Sequence, residues 1–332
     1  CAVKVRHPGV VTKIARDLAI LQFFTKIISY HPALQWASLQ ENISVFSRSM
    51  KAQTDLRVEG TNLQLFKTNF KSFSDTIIFP TPDMSRTTTQ VLVETYMRGT
   101  PIQSYLDDPS NAKYSSHIKK CIARFGINMY LKMMLVDNFV HADMHPGNLL
   151  VNTISADTSP QLVVLDAGLV TKLSSVDRVN FIDLFSAVAA GDGALAATLM
   201  VERSRNAEQV MRNPDAVEGF KSEMSVLIGK VLVTPVSELE VGVILEQVLT
   251  LGRKYKVPVE SNFTTLVLGT MIIEGIGKQL DPGLNFVDSS KPFLVKESAV
   301  RDAYIRGMLG QEHQLYKWYE RWWKNSKWNK NY

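Results

Sequence analysis

Apolar residues fall at three- and four-residue intervals from Val10 to Tyr30 and again through most of Leu39 to Phe66, so both stretches predict helix. A short apolar strand around Lys4, in Cys1-Ala-Val-Lys4-Val, precedes the first of them. Thr76 to Pro80 and Gln90 to Glu94 alternate or run apolar and predict strands. From Pro101 onward the spacing is mainly helical, interrupted by a hairpin over 149–165. There, strands at Leu149 to Asn152 and Leu162 to Leu165 flank the turn-rich Ile154-Ser-Ala-Asp-Thr-Ser-Pro160. A serine with an acid three places on, Ser174-Ser-Val-Asp177, marks another helix start. The most apolar stretch, Phe263 to Ile276, contains Glu274 and falls short of the ~18 residues a membrane span needs, so no spanning helix is expected.

Composition narrows the class without naming a function. With 332 residues, 45% hydrophobic and 21% charged, the chain suits one large or two moderate globular domains. Two cysteines, Cys1 and Cys121, indicate no disulfide framework and fit a reducing compartment. The net charge of +5 is concentrated at the end: residues 313–332 hold five Lys/Arg against one Glu. The rest is close to neutral, without the basic working face of a nucleic-acid binder, so no nucleic-acid partner is expected. The tail also gathers Trp318, Trp322, Trp323 and Trp328 among its cations. It reads first as a terminal helix docking aromatic faces on the body, and second as a peripheral membrane contact.

The chemistry concentrates in His141-Ala-Asp143-Met-His145-Pro-Gly-Asn148 and in Asp166-Ala-Gly168. Asp143 and Asn148 have the spacing of H-x-D-x-x-x-x-N, and the hairpin then delivers a second aspartate into a D-x-G turn. Kinases use that arrangement to gather a base-like Asp, a metal-binding Asn and a metal-binding Asp around one triphosphate. Asn148 and Asp166 are the expected oxygen ligands for Mg²⁺, Asp143 the residue that orients an acceptor hydroxyl or water, and Gly168 a permissive turn position. Lys4 is the expected phosphate lysine. Val93-Glu94-Thr-Tyr96-Met-Arg-Gly99 reads either as a hinge where adenine meets the backbone or as an ordinary strand exit. Asp55, Glu59 and Asn62, at i, i+4 and i+7, share one helix face that is either solvated or turned to the phosphates. His141, Asp143 and His145 could alternatively hold zinc or iron, although the remaining histidines are scattered. A helix start soon after Gly168 leaves no room for a long activation segment. The expected acceptor is therefore a small molecule, a lipid-derived compound or water, and no peptide substrate is expected.

H-A-D-x-H-P-G-N-x-L, with A-V-K-V-x-H-P-G at the start and Gln53-Thr-Asp55-Leu-Arg-Val-Glu59-Gly-Thr-Asn62 between, resembles the UbiB/ADCK (aarF-domain-containing) atypical kinase-like family. Segment 53–62 resembles that family's E-x-D-x-x-x-E-A-x-N. The resemblance implies an α+β, protein-kinase-like two-lobed fold, with a truncated small lobe over 1–97 and a mainly helical large lobe over 98–332. It implies ATP and Mg²⁺ as cofactors, with Lys4, Gln53, Asp55, Glu59, Glu94 and Tyr96 around the nucleotide. It also implies a mitochondrial location and a role in coenzyme Q or related lipid metabolism. The family's alanine-rich nucleotide loop and K-x-G-Q helical extension are expected upstream of Cys1. Three positions depart from the pattern. Gln53 stands where a Glu usually pairs with the lysine, so Asp55 or Glu59 is expected to take over. Ala167 replaces Phe, and Met144 replaces Pro. Gln53 keeps a second reading open, a non-catalytic nucleotide-binding regulator.

Overall fold

Strand β1 (Ala2–Val5) carries Lys4 and is followed at Gly9, whose φ of +75° favours glycine, by α1 (Val10–Ile28). In this computed structural model the described residues are 1–30, 39–153, 160–204, 207–233, 240–257 and 261–297. The basic aromatic tail and residues 154–159 of the hairpin turn lie outside them. α2 (Leu39–Ala52) packs along α1, whose Ile20, Phe23, Phe24 and Ile27 stay exposed.

The helix expected to continue to Phe66 is broken at 53–55. Asp55 is extended and accepts a hydrogen bond from Arg57 N at 3.0 Å, which makes it the cap of α3 (Leu56–Asn69). A carboxylate on a short stem satisfies a free N–H at a helix start better than it serves a helix interior, and here that preference divides one apolar run into two helices. α3 buries Leu56, Glu59, Gly60, Leu63 and Phe66. Gly60 permits this approach: a Cβ would stand 2.8 Å from the Met84 sulfur.

β2 covers only Ile77–Ile78 of the expected Thr76–Pro80 strand. β3 (Val91–Glu94) runs antiparallel to β1, with Lys4 opposite Leu92 and Ala2 opposite Glu94. Then come β4 (Thr100–Pro101), α4 (Gln103–Leu106) and α5 (Ser116–Leu131), which runs into a buried π-turn over Lys132–Val136. β5 (Val140–His141), β6 (Leu149–Asn152), β7 (Gln161–Val164) and β8 (Val170–Thr171) complete the strands. The β6–β7 hairpin forms where the sequence places it, with Leu149 opposite Val164. β2 joins β7 in parallel and β4 joins β6 antiparallel, giving the order β2-β7-β6-β4. β5 and β8 form a separate pair. Strands β4, β5 and β8 have two residues each, too few for a period to show in the sequence.

The rest is helical. α6 (Ser175–Ala189) starts as the Ser174/Asp177 pattern requires: Ser174 Oγ accepts from Asp177 N at 3.1 Å and donates to Asp177 Oδ2 at 2.7 Å. α7 (Gly193–Glu202), α8 (Ala207–Met211), α9 (Pro214–Val233), α10 (Val241–Lys254), α11 (Ser261–Leu280) and α12 (Phe286–Glu297) follow. A large core joins α3, the hairpin, α5, α11 and α12, and a smaller one forms among α6, α7, α9 and α10. α11 lies on α5, where the Tyr130 hydroxyl donates to Leu266 O at 2.8 Å and Gly269 leaves room for the ring. The acid that interrupts the apolar run of α11 has a task. Glu274 accepts from Val241 N at 3.0 Å and Gly242 N at 2.7 Å, capping the start of α10 from a neighbouring helix. No described helix is long and apolar enough to cross a membrane. Small sheets above a helical body give the α+β, kinase-like architecture that the motifs imply.

Candidate active site

Two ladders hold the 141–148 loop and the 165–168 turn side by side. At one end Leu165 N donates to Asn148 O at 3.0 Å, continuing the β6–β7 hairpin; at the other Ala142 N donates to Leu169 O at 3.0 Å, continuing β5–β8. His141 bridges the two segments from within. It is fully buried, its Nε2 bonds the Asp166 carbonyl, and its Nδ1 accepts from Asp143 N at 3.1 Å. That pairing requires the proton on Nε2. Burial keeps the ring below its ordinary pKa despite the Asp166 carbonyl, so His141 is a neutral tie between the loop and the turn. The alternative in which His141, Asp143 and His145 hold zinc or iron is not supported, because both nitrogens of His141 are engaged by backbone. No group of three or more His, Cys, Asp or Glu among the described residues is placed for a metal ion.

Lys4 is the electrostatic centre. Its ammonium lies 2.8 Å from Glu59 Oε2 and 2.8 Å from Asp166 Oδ2. Burial works against its charge, but the bonds to Asp166 and Glu59 outweigh burial and hold the pKa up. Asp166 is also disfavoured as an anion by burial, yet Lys4 and the Gly168 N–H, 2.7 Å from Oδ1, hold its pKa down. For Glu59, on the buried face of α3, burial prevails over Lys4 and raises the pKa. Asn62, one turn further along α3, donates to Ala167 O at 2.8 Å, so α3 grips the D-x-G turn directly.

The structure brings Lys4, Glu59, Glu94 and Asp166 together and leaves other expected residues apart. Asp55 turns to Arg57, whose Nη2 is 2.6 Å from its Oδ2, instead of sharing the face of Glu59 and Asn62. Gln53 lies in the turn after α2, its N–H on Ser49 O, and the lysine partner is Glu59. Tyr96 is 67% exposed. Asp143 is exposed, with Oδ2 3.8 Å from His145 Nε2, free to meet an acceptor. Asn148 donates through Nδ2 to Asp143 O at 3.0 Å, so Oδ1 is the atom that could serve as a metal ligand. One carboxylate and one amide oxygen suit Mg²⁺, which keeps waters and takes phosphate oxygens instead of requiring an all-protein cage. The His141–Asp166 tie was legible only as the first letter of the H-x-D motif. The sequence did not show that it joins the two halves of the site.

Glu94 ends β3 on the Lys4 face. Its carboxyl is pushed up to about 7 by burial and by the nearby Glu59 and Asp166 charges, with Lys4 pulling the other way. A carboxyl that binds its proton more tightly folded than unfolded weakens the fold as pH rises. The penalty is absent below the ordinary value of 4.5 and complete above about 7. Glu94→Gln is therefore expected to be more stable than the native protein at pH 8, by about 1 kcal/mol after allowing for solvent screening of a half-buried group, with the gain shrinking toward pH 5. Denaturant unfolding at several pH values checks this; a pH-independent difference rejects it.

A lysine bridged to two carboxylates, one of them in a turn pinned to a H-x-D-x-x-x-x-N loop, defines a kinase-like domain. Residues 1–200 match the model of the ABC1 atypical kinase-like domain and residues 224–285 that of the UbiB helical domain. The chain belongs to the ABC1/UbiB atypical kinase-like family. The mitochondrial ABC1 family protein C21C3.03 of Schizosaccharomyces pombe is 36% identical over 93% of this chain and 49% of its own. The probable serine/threonine-protein kinase abkC of Dictyostelium discoideum is 34% identical over 93% and 54%, respectively. The mitochondrial ABC1 family protein YPL109C of Saccharomyces cerevisiae is 32% identical over 93% and 54%. The chain spans about half the length of these curated relatives.

Proposed function

We propose that the protein is an ATP-dependent atypical kinase or ATPase. The observation that carries this reading is the Lys4 bridge to Glu59 and Asp166, with Asp166 tied through His141 to the loop bearing Asp143 and Asn148. Asn148 and Asp166 would hold Mg²⁺, which supplies charge neutralisation at the phosphates when bound. Lys4 binds the phosphates, and Glu59 keeps it charged and aimed. Asp143 orients the attacking oxygen and holds its proton. His141, engaged on both nitrogens, keeps the loop and turn in register and takes no part in proton transfer.

The acceptor we propose is a small or lipid-derived molecule in mitochondrial coenzyme Q or related lipid metabolism. Two relatives are named as mitochondrial, which supports the location. The closeness of α6 to the D-x-G turn supports the absence of a peptide substrate: Gly168 is followed by β8 and then by a helix from Ser175, with no extended platform between. For the C-terminal tail, rich in Trp and Lys, the first reading remains docking on the body and the second a peripheral membrane contact. A second reading, a non-catalytic nucleotide-binding regulator, draws on Gln53. Against it stands Glu59, which supplies the carboxylate that position 53 lacks.

The test is Mg²⁺-dependent stabilisation of the full-length protein by ATP, followed by ATP turnover with candidate lipid acceptors. A melting temperature unmoved by Mg²⁺ and ATP together rejects the nucleotide reading. Stoichiometric phosphorylation of a defined protein in trans, lost in Asp143→Asn, rejects the small-acceptor reading.

A further inference from the structure

A histidine stands two residues before Asp143 and another two residues after it. The first, His141, holds the Asp143 N–H on its Nδ1. The second, His145, is extended, as a residue before proline tends to be, and caps the short turn Pro146–Asn148. Its Nδ1 accepts from Gly147 N at 3.0 Å, and its carbonyl accepts from Asn148 N at 3.0 Å. Gly147 makes room for the ring: a Cβ there would stand 2.8 Å from His145 Cε1 and 2.9 Å from Nδ1.

A cap of this kind needs only an acceptor, and Asn, Asp or Ser supplies one on a smaller side chain. Imidazole brings a second nitrogen as well. With Nδ1 engaged as an acceptor, the ring proton sits on Nε2. Nε2 lies 3.8 Å from Asp143 Oδ2, and both side chains are half-exposed. Among the described residues no hydrogen bond reaches the Asp143 carboxylate, so its side chain is free to turn. The gap exceeds a hydrogen bond by about 1 Å, which a small rotation of Asp143 closes. Catalytic contacts in an unliganded site are often long and tighten when the reactants are seated. The position of the proton also decides what His145 can do. Nε2 already carries a hydrogen, so the ring has no lone pair to take a proton from Asp143; it can only donate to it.

We infer that His145 is a positioning residue for Asp143: its Nε2–H holds Oδ2, which leaves Oδ1 turned to the attacking oxygen as the atom that receives the proton. The inference rests on the kinase or ATPase reading above and adds how the base is aimed. The two histidines divide the work, His141 fixing the main chain of Asp143 and His145 its carboxylate.

The experiment compares steady-state ATP turnover, with Mg²⁺, by the full-length native protein, His145→Asn and His145→Gln. Asn reproduces the acceptor that caps the turn but has nothing in the place of Nε2. Gln carries an amide N–H about as far out as Nε2 but caps poorly. His145→Asn is expected to melt like the native protein and to hold its KM for ATP within about two-fold, while kcat falls by about 10- to 100-fold, the worth of a hydrogen bond to a charged group. His145→Gln is expected to recover most of that kcat although it melts lower. A role confined to capping gives the reverse order, with Asn near native and Gln the slower. Native kcat in His145→Asn, or an equal loss in both variants, overturns the inference and leaves the nucleotide reading standing. If the native protein consumes no ATP, both fall.

Discussion

Asp143→Asn is expected to bind Mg²⁺-ATP within a few-fold of the native affinity while its turnover falls by about 10²–10⁴-fold. The structure separates the two properties. Asp143 is exposed, and its carboxylate touches neither Lys4 nor Asp166; its Oδ2 lies 3.8 Å from His145 Nε2. The backbone of Asp143 does the structural work, its N–H on His141 and its carbonyl on Asn148 at 3.0 Å, and the substitution leaves both in place. Only the group proposed to orient the attacking oxygen is lost. Binding titration beside steady-state ATP consumption by the full-length protein checks the split. If Asp143→Asn restores a null cell as well as the native gene does while Asp166→Asn fails, the regulator reading replaces the enzyme.

Asp166→Asn is expected to remove the Mg²⁺-dependent part of ATP binding, so that the ion and nucleotide together no longer raise the melting temperature. Asp166 is the sole carboxylate among the two expected metal ligands, and an amide in its place leaves the ion two neutral protein oxygens. The fold should tolerate the change. The Asp166 contact to His141 is made by the backbone, and Lys4 keeps Glu59 as its partner. Equal stabilisation of native and variant proteins in a thermal-shift assay would sink the assignment of Asp166 as a metal ligand. Restoration of a null cell by both Asp143→Asn and Asp166→Asn would mark the whole site as vestigial.

What the sequence made legible follows the length of the signal. The β6–β7 hairpin has enough residues per strand to show its period, and the Ser174/Asp177 start is a local pattern that needs no distant partner. Asp55 failed as a face residue because the i, i+4, i+7 spacing assumes one unbroken helix, and a capping carboxylate ends the helix it seems to belong to. The helix break leaves Gln53 and Asp55 outside α3, and the rotation of α3 against β3 then decides that Glu59 is the lysine partner. Leu63 and Phe66 set that rotation by burying themselves in the core, an outcome of packing that residue spacing does not encode. In the sequence Glu94 is only the residue before the 95–99 segment; its buried, unpartnered oxygen emerges once β3 is paired on both edges.

The Lys4–Asp166 contact sets a cation of the chain itself on the carboxylate that is proposed as a metal ligand. Lys4 Nζ rests on Asp166 Oδ2, an oxygen a cation would require. A lone cation approaching Asp166 meets an ammonium already seated there. On the proposed nucleotide reading, phosphate oxygens would draw Lys4 away from Asp166, and a cation held by Asn148 and Asp166 would offset the phosphate charge beside Glu59. Each guest would then clear the way for the other, and thermodynamic reciprocity would make the assistance equal in both directions. The pair would enter as a unit, and a cell rich in magnesium but poor in nucleotide would leave the lysine latch closed.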